Sequence, residues 1–418
     1  MRRPSLAIDL SPLRESRDLR WLVLGNVVSG LGTQAALVAL PYQLYTETGS
    51  AFLTGLLGAV ELVPLVVMAL LGGAIADRAD RRRILLLDQI GLATIAGLLA
   101  LVTLLGSPPV PVLYGLGGLL AGFGAVQSVT RSAIVPNLVR PGILRQAIAL
   151  NFGLSQLTLV VGPALGGLLI AAAGVAAAYI ADGVSTFAMV GALLAMAPQP
   201  PPPHDAGVPV GQSILEGLRY VRGEPAVMGT FALDLLAMTF GMPRALFPVL
   251  AVSVYHAGAS GTGVLYAAVS AGATVAALTT GWLGSARRLG VIAIWAVVVW
   301  GSAIAVAGLA GSLAVAALLL AAAGAADSVS AVCRASINQS ITPDHLRGRM
   351  SSIFSLVVTS GPRLGDVESG AVAGLAGPRF SVTSGGLACL VGVAAVVAAF
   401  PALVRYDAAD ALTEPVAA

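Results

Sequence analysis

Long apolar segments constrain the fold of this chain more than any other feature of its sequence. Twelve segments reach the length of about 20 mostly apolar residues that an α-helix needs to cross a lipid bilayer. We place them at residues 20–45, 51–76, 84–105, 112–136, 146–170, 174–197, 226–251, 261–284, 289–309, 313–338, 349–374 and 380–403. Only 10% of the residues are charged, compared with about 25% in soluble domains. The sequence therefore predicts an all-α integral membrane protein with twelve transmembrane helices and excludes a soluble enzyme.

The placement of arginine predicts how these segments are oriented. All 23 basic residues are arginines. With the N-terminus in the cytoplasm, eighteen of them fall in cytoplasmic ends and loops, and only Arg379 falls in an external loop. Positive residues concentrate on the cytoplasmic side of membrane proteins, so we predict a cell-membrane protein with both termini in the cytoplasm. Because the chain lacks lysine, it has no Walker-type phosphate loop, which argues against direct coupling to ATP.

The sequence divides into two similar halves. A proline-rich polar stretch, "APQPPPPHDAGVPVGQS", separates the sixth segment from the seventh. The stretch "VGPALGGLLIAAAG" in the fifth segment resembles "SGPRLGDVESGAVAG" in the eleventh, and "TRSAIVPNLVRPGILRQA" resembles "CRASINQSITPDHLRGRM". We therefore predict an N-terminal arm at 1–19, six-helix bundles at 20–197 and 226–405, a cytoplasmic linker at 198–225 and a tail at 406–418. Repeated bundles are a transporter architecture, with the substrate site near the middle of the membrane.

The loop between the second and third segments carries the most specific motif. It reads "GAIADRADRR" at residues 73–82 and is similar to the pattern G-x-L-A-D-R-x-G-R-R of the major facilitator superfamily. The matching residues are Gly73, Asp77, Arg78, Arg81 and Arg82. Asp80 replaces a glycine of the pattern, and we expect this added charge to weaken the tight turn. The alternative interpretation is an arginine cluster that only sets membrane orientation.

The resemblance to the major facilitator superfamily covers essentially the whole chain and implies two pseudo-symmetric six-helix bundles. It also implies that Asp77 stabilises the positive N-terminal end of the eleventh helix and thereby holds one conformational state. Within the superfamily the chain looks most like the enterobactin-exporter-like group. The resemblance is carried by the stretches "GGAIADRADRRRILLL" and "GVLYAAVSAGATVAALTTG" and by the proline-rich linker. Related multidrug exporters share much of this pattern, so the substrate stays open.

A second motif, "GPALGG" at residues 162–167, matches the core of a pattern associated with antiporters and exporters of the superfamily. The matching residues are Gly162, Pro163, Gly166 and Gly167. Proline removes one backbone hydrogen bond and can kink a helix, while glycines let neighbouring helices approach closely. The motif favours export. A packing kink without directional meaning is the alternative interpretation.

Ionisable and polar residues inside the apolar segments are candidates for transport, because a charge within a bilayer is costly. The candidates for proton coupling or substrate binding are Glu61, Asp234, Asp327, Arg334, Arg363, Asp366, Gln34 and Arg131. By resemblance, the first, fourth, seventh and tenth helices line the central cavity, and the second, fifth, eighth and eleventh flank it. Structural ion pairs between helices are the alternative interpretation for any one of these residues.

The eleventh segment concentrates charges at a depth where lipid is expected. Thr359, Arg363 and Asp366 are spaced to share one helix face, whereas Glu368 points elsewhere. Because a carboxylate paired with arginine is a poor proton carrier, we expect the Arg363–Asp366 pair to serve as a substrate or gating switch. Proton uptake is then assigned to Glu61, Asp234 or Asp327.

Together these features predict a secondary active transporter that exports a small molecule, such as a drug or siderophore, by proton antiport and alternating access. Proton-independent transport, import, and a lipid-handling role on the same fold are the alternatives. We expect a monomer with protons, a small-molecule substrate and membrane lipids as partners, and no nucleic acid. Two cysteines and three histidines give no basis for a metal, and no cofactor or enzymatic activity is expected. Since the segments hold both acids and arginines, the substrate's charge stays open.

Overall fold

The computed structural model describes residues 11–76, 79–200, 216, 219–343 and 346–408. Every regular element within these ranges is a helix, and no strand occurs there. The predicted all-α fold is therefore confirmed. Two residues of the loop motif, Asp77 and Arg78, lie outside the described residues, as does much of the predicted linker.

The chain forms two compact units. The first comprises Met1–Glu47 with Val60–Ala206, and the second comprises Thr48–Ala59 with Gly207–Ala418. The helix Ala51–Ala76 is divided between them, so that its residues 51–59 belong to the second unit and its residues 60–76 to the first. The helices that match the predicted segments are called spans one to twelve below.

The first unit contains the short helix Ser11–Glu15 and most of spans one to six. These spans are Arg17–Thr48, Ala51–Ala76, Arg81–Leu104, Val110–Ile134, Leu144–Ala173 and Val175–Ala195. A buried apolar cluster joins five of these helices through residues that include Leu22, Leu85, Ile134, Ala147 and Met189. Span five continues as one helix through Pro163, as does span two through Pro64.

The second unit contains spans seven to twelve and the short helix Pro401–Arg405. The continuous spans are Gly258–Thr279, Leu289–Leu309, Leu313–Ile341, Arg347–Ala376 and Pro378–Ala399. Span seven is built from Pro225–Phe240, then Leu246–Val249, which continues as the π-helix Leu250–Val254. Phe231 of span seven packs edge-on against Phe354 of span eleven, with 6.0 Å between ring centroids.

Ten helices within the described residues are long and apolar enough to cross a membrane. The two predicted spans outside this group are spans seven and eleven. In span seven, the helix Pro225–Phe240 is apolar but has only 16 residues. Span eleven is long enough, with 30 residues, but it carries Arg363, Asp366 and Glu368 among its apolar residues.

The prediction of one uninterrupted segment at 226–251 was wrong, because the backbone leaves the helix at Gly241 and resumes near Leu246. Pro243 has no N–H for the hydrogen-bond ladder, and its ring obstructs a continuing α-helix. Irregular backbone is tolerated at membrane depth only where protein covers it or where it lines a cavity. Ala245 of this interruption is accordingly buried, with 5% of its surface exposed.

Candidate functional site

A buried ion pair between spans seven and ten is the centre of the charged site in the second unit. Arg334 Nη2 lies 2.5 Å from Asp234 Oδ1, and both side chains are 1% exposed. The Nη1 of Arg334 also donates to Ser330 Oγ at 2.6 Å. Two helices far apart in sequence thus hold the guanidinium through directed bonds, which offset part of the cost of burying it.

Asp327 lies farther from the Arg334 guanidinium than Asp234 does. It lies two helical turns before Arg334 on the same face of span ten. Its Oδ1 is 3.8 Å from Arg334 Nη2, and 20% of its side chain is exposed. That oxygen accepts no hydrogen bond from the part of the chain that the structure describes. This oxygen of Asp327 is therefore held near Arg334 by charge rather than by a hydrogen bond.

The charged site continues through the interruption of span seven to span eleven. The predicted Arg363–Asp366 pair is present, with 3.9 Å between Nη1 and Oδ2. Arg244, in the interruption, attracts both Asp327 and Asp366. Attractive charge interactions therefore link acids with arginines in the sequence Asp234, Arg334, Asp327, Arg244, Asp366 and Arg363. We call these six residues the charge chain; it is neutral when all of its members are ionised.

The first unit has a different polar cluster, on spans one, three, four and five. Arg131 donates to Asn26 Oδ1, and Asn26 Nδ2 lies 3.4 Å from Ser155 Oγ. Asp88 attracts Arg131 and is only 3% exposed. Asp88 lies about two turns from the start of span three and was not among the candidates predicted from the sequence. Its position opposite Arg131 depends on contact between helices, which spacing in one segment cannot reveal.

Gln34 and the antiporter-like motif lie against each other within the first unit. A Cβ on Gly162 would lie 2.5 Å from Gln34 Cβ, and one on Gly166 would lie 2.6 Å from Ala35 Cα. Both glycines therefore permit a close crossing of spans one and five. Thr33, which directly precedes Gln34, donates to Asp182 of span six at 3.2 Å. Glu61, the remaining candidate, is half-buried in span two.

The described part of the loop motif holds the end of span six. Asp80 caps the start of span three by accepting from the backbone N–H groups of Arg82 and Arg83. It also accepts from Gln199 N at 3.2 Å. Arg82 donates to Leu193 O at 2.5 Å and Leu194 O at 3.0 Å, where the negative end of a helix favours a cation. Asp80 was expected to weaken this turn; as an N-cap it instead stabilises the helix that follows.

Solved transporter structures share this fold. The nucleoside transporter NupG aligns with a TM-score of 0.76 and 12% identity over 92% of this chain and 100% of that protein. A bacterial homologue of the human lysosomal transporter Spinster aligns with a TM-score of 0.71 and 14% identity, over 93% of this chain and 96% of that protein. The helices described above thus form the all-α membrane fold of major facilitator superfamily transporters.

The sequence comparisons define the family more closely. The chain belongs to the transmembrane secretion effector family, whose model matches residues 7–415. It is 31% identical to the enterobactin exporter EntS of Citrobacter koseri, over 94% of each chain. It is 30% identical to the protein of the same name from Escherichia coli O81, again over 94% of each chain. The chain is therefore a multi-span membrane transporter of the efflux type and not an enzyme.

Proposed function

We propose that this protein exports a small molecule across the cell membrane in exchange for protons. The observation that carries the proposal is the charge chain of the second unit, in which Oδ1 of Asp327 accepts no hydrogen bond from the described residues. Buried ionisable groups are costly in a membrane and mark proton or substrate pathways in transporters. The three acids and three arginines of the charge chain have no net charge when all are ionised. Binding of one proton therefore gives the set a net charge of +1.

Asp327 is the proposed proton carrier. Asp234 accepts a 2.5 Å hydrogen bond from Arg334. This bond must break before the Asp234 carboxylate can bind a proton. Asp327 is 3.8 Å from the same guanidinium and is partly exposed, so it is the more accessible acid. Protonation of Asp327 removes one of the two carboxylates that hold Arg334, and the charge chain then carries a net positive charge. Glu61 of span two is the second candidate for this role.

An anionic siderophore is the proposed substrate class. The relatives named above are enterobactin exporters, and an anionic ligand such as a catecholate siderophore suits arginines within the membrane-spanning segments. Arg131 of the first unit supports this choice, because its directly bonded partner is the neutral amide of Asn26 rather than a carboxylate. An arginine with a neutral partner retains attraction for an anionic ligand. A cationic drug is the alternative substrate.

We also propose the topology and assembly that the sequence predicts. The protein lies in the cell membrane with both termini and the linker 198–225 in the cytoplasm, and it works as a monomer. The bundles 20–197 and 226–405 provide alternating access. Gly73, Asp77, Arg78, Arg81 and Arg82 form the gating loop, with Gly162, Pro163, Gly166 and Gly167 as an exporter motif.

Uptake into everted membrane vesicles tests the proposed coupling. Vesicles that contain the protein are expected to accumulate radiolabelled enterobactin when their interior is acidified, and a protonophore is expected to abolish this accumulation. Asp327→Asn should lower gradient-driven accumulation to the level of vesicles without the protein. Asp407→Asn, the same change in a residue that follows the last span and pairs with Arg287, is the matched control.

Each alternative function predicts a different result in these vesicles. Accumulation that a protonophore leaves unchanged would indicate proton-independent transport. Loss of preloaded enterobactin from acidified vesicles would indicate the import direction. Movement of a fluorescent lipid between leaflets without solute flux would indicate a lipid-handling protein. A fluorescent cationic dye, measured in the same vesicles, tests the drug alternative.

A further inference from the structure

The interruption of span seven is held by side chains from three other helices. Trp300 of span nine is fully buried and donates from Nε1 to Gly241 O at 2.8 Å. Tyr266 of span eight donates from its hydroxyl to Arg244 O at 3.1 Å. Asp366 of span eleven accepts from Ala245 N at 2.9 Å through Oδ1. Backbone groups that leave the helix ladder therefore find partners inside the protein, as buried backbone at membrane depth requires.

Two of these bonds hold one peptide group from opposite ends. The carbonyl of Arg244 and the N–H of Ala245 belong to the same planar peptide unit, so Tyr266 and Asp366 fix its orientation together. The guanidinium of Arg244 also lies over the Tyr266 ring, 6.0 Å from its centroid. The backbone that carries Arg244 is thus fixed immediately on the C-terminal side of its Cα.

Close packing around Asp366 fixes the part of span eleven from which its carboxylate extends. A Cβ on Gly58 would lie 2.7 Å from Asp366 Cβ, and a Cβ on Gly365 would lie 2.5 Å from Met238 O. Residues 51–59 of span two and the end of Pro225–Phe240 therefore press against span eleven at this level. Among the residues that the structure describes, the charged groups that act on Asp366 are Arg363 on its own helix and Arg244 in the interruption. Glycines face it from span two.

We propose that Asp366 is a positioning residue: it holds the Arg244–Ala245 peptide and thereby fixes the backbone that carries Arg244 beside the Tyr266 ring. This role differs from the switch role that the sequence suggested, because the carboxylate acts through its bond to a backbone N–H. An asparagine at this position retains an oxygen that can accept from Ala245, whereas an alanine does not. The two substitutions therefore separate the backbone bond from the charge.

Hydrogen–deuterium exchange on the full chain in lipid nanodiscs tests this inference without any transported substrate. Asp366→Ala is expected to increase exchange of the peptides that cover residues 241–254 by about tenfold, since a bond to a charged group is lost. Asp366→Asn should keep exchange close to that of the unchanged protein. Glu368→Gln, two residues away on another helix face, is the matched control and should leave exchange unchanged.

The exchange results decide the inference in either direction. Equal increases in Asp366→Asn and Asp366→Ala would overturn it, because the charge rather than the backbone bond would then be required. An unchanged rate in Asp366→Ala would overturn it as well. If Asp366→Ala does not fold, Asp366→Asn alone still decides: retained protection supports the positioning role, and faster exchange contradicts it. Since exchange needs no substrate, its outcome is independent of the enterobactin measurement.

Discussion

Arg334 illustrates how a single buried charge shapes its surroundings. It faces Asp234 at 2.5 Å and Asp327 at 3.8 Å, and both carboxylates depend on it. Burying an ion pair gains little net stability, but removing one partner leaves an uncompensated charge and costs much more. The cost of removing Arg334 therefore comes mainly from the two carboxylates, Asp234 and Asp327, that would lose their cation.

Substitutions in the Arg334–Asp234 pair are expected to lower the stability of the protein by different amounts. Arg334→Gln leaves two carboxylates without their arginine and should destabilise the protein by about 3–5 kcal/mol. Asp234→Asn should cost less, because Arg334 keeps Asp327. The double variant should be more stable than Arg334→Gln alone, since only Asp327 then lacks the arginine. Thermal unfolding in detergent can be followed with a thiol-reactive dye, because Cys333 and Cys389 are free and buried.

A surface pair provides the control for this series. Arg287 lies 3.2 Å from Asp407, and its side chain is 69% exposed. Arg287→Gln should therefore change stability by no more than about 1 kcal/mol. A loss in Arg334→Gln as small as that in Arg287→Gln would contradict the assignment of Arg334 as a buried structural and functional cation.

At the scale of helices, a close crossing positions the charged part of span eleven. Gly55 of span two faces the backbone of span eleven, where a Cβ would meet Asp366 O and would lie 2.6 Å from Gly370 Cα. Only a residue without a side chain fits between two backbones at this distance. The crossing brings span two against the part of span eleven that carries Arg363 and Asp366.

Gly55→Ala is expected to destabilise the protein by about 1–3 kcal/mol, because the added methyl group has no space and the helices must separate. Gly97→Ala is the matched control. Gly97 also lies inside a membrane-spanning helix, but a Cβ there meets no atom within 4 Å. It should be neutral or slightly stabilising. Equal losses in the two variants, measured by the same dye assay, would contradict a tight crossing at Gly55.

At the scale of the whole molecule, the repeated halves have kept an arginine but changed its partners. Arg131 and Arg334 occupy matching positions in the repeated stretches "TRSAIVPNLV" and "CRASINQSIT". In the first unit the arginine donates to the amide of Asn26; in the second it pairs with the carboxylate of Asp234. The arginine of the first unit therefore has a neutral hydrogen-bond partner, whereas the arginine of the second unit belongs to the charge chain.

The arginine distribution gives a prediction about the whole chain in its membrane. A green fluorescent protein fused after Ala418 should fluoresce, and an alkaline phosphatase fused there should be inactive, because the C-terminus is predicted to be cytoplasmic. The phosphatase inserted after Gly106, between spans three and four, should be active. An active phosphatase at Ala418 would contradict the proposed topology.

The sequence by itself determined the features that depend on neighbouring residues. Apolar length predicted twelve spans, eleven of which form continuous helices, and helical spacing predicted the Arg363–Asp366 pair, which the structure confirms at 3.9 Å. The orientation that arginine placement predicts stays a prediction. The loop motif and the central linker pointed to the superfamily and the exporter group that the comparisons then identified. The apolar spans, the ion pair and the loop motif are each a property of one segment, so no long-range contact was needed to find them.

Only the tertiary structure decided which distant residues meet. Span seven is interrupted at Gly241–Ala245, and Arg334 pairs with Asp234. Asp88 attracts Arg131 across two helices. The tertiary structure also gave Asp366 a backbone partner in another helix. A proline at position 243 permits a break, but the side chains that satisfy the exposed backbone come from spans eight, nine and eleven. Such contacts follow from helix packing, which periodicity within a single segment does not encode.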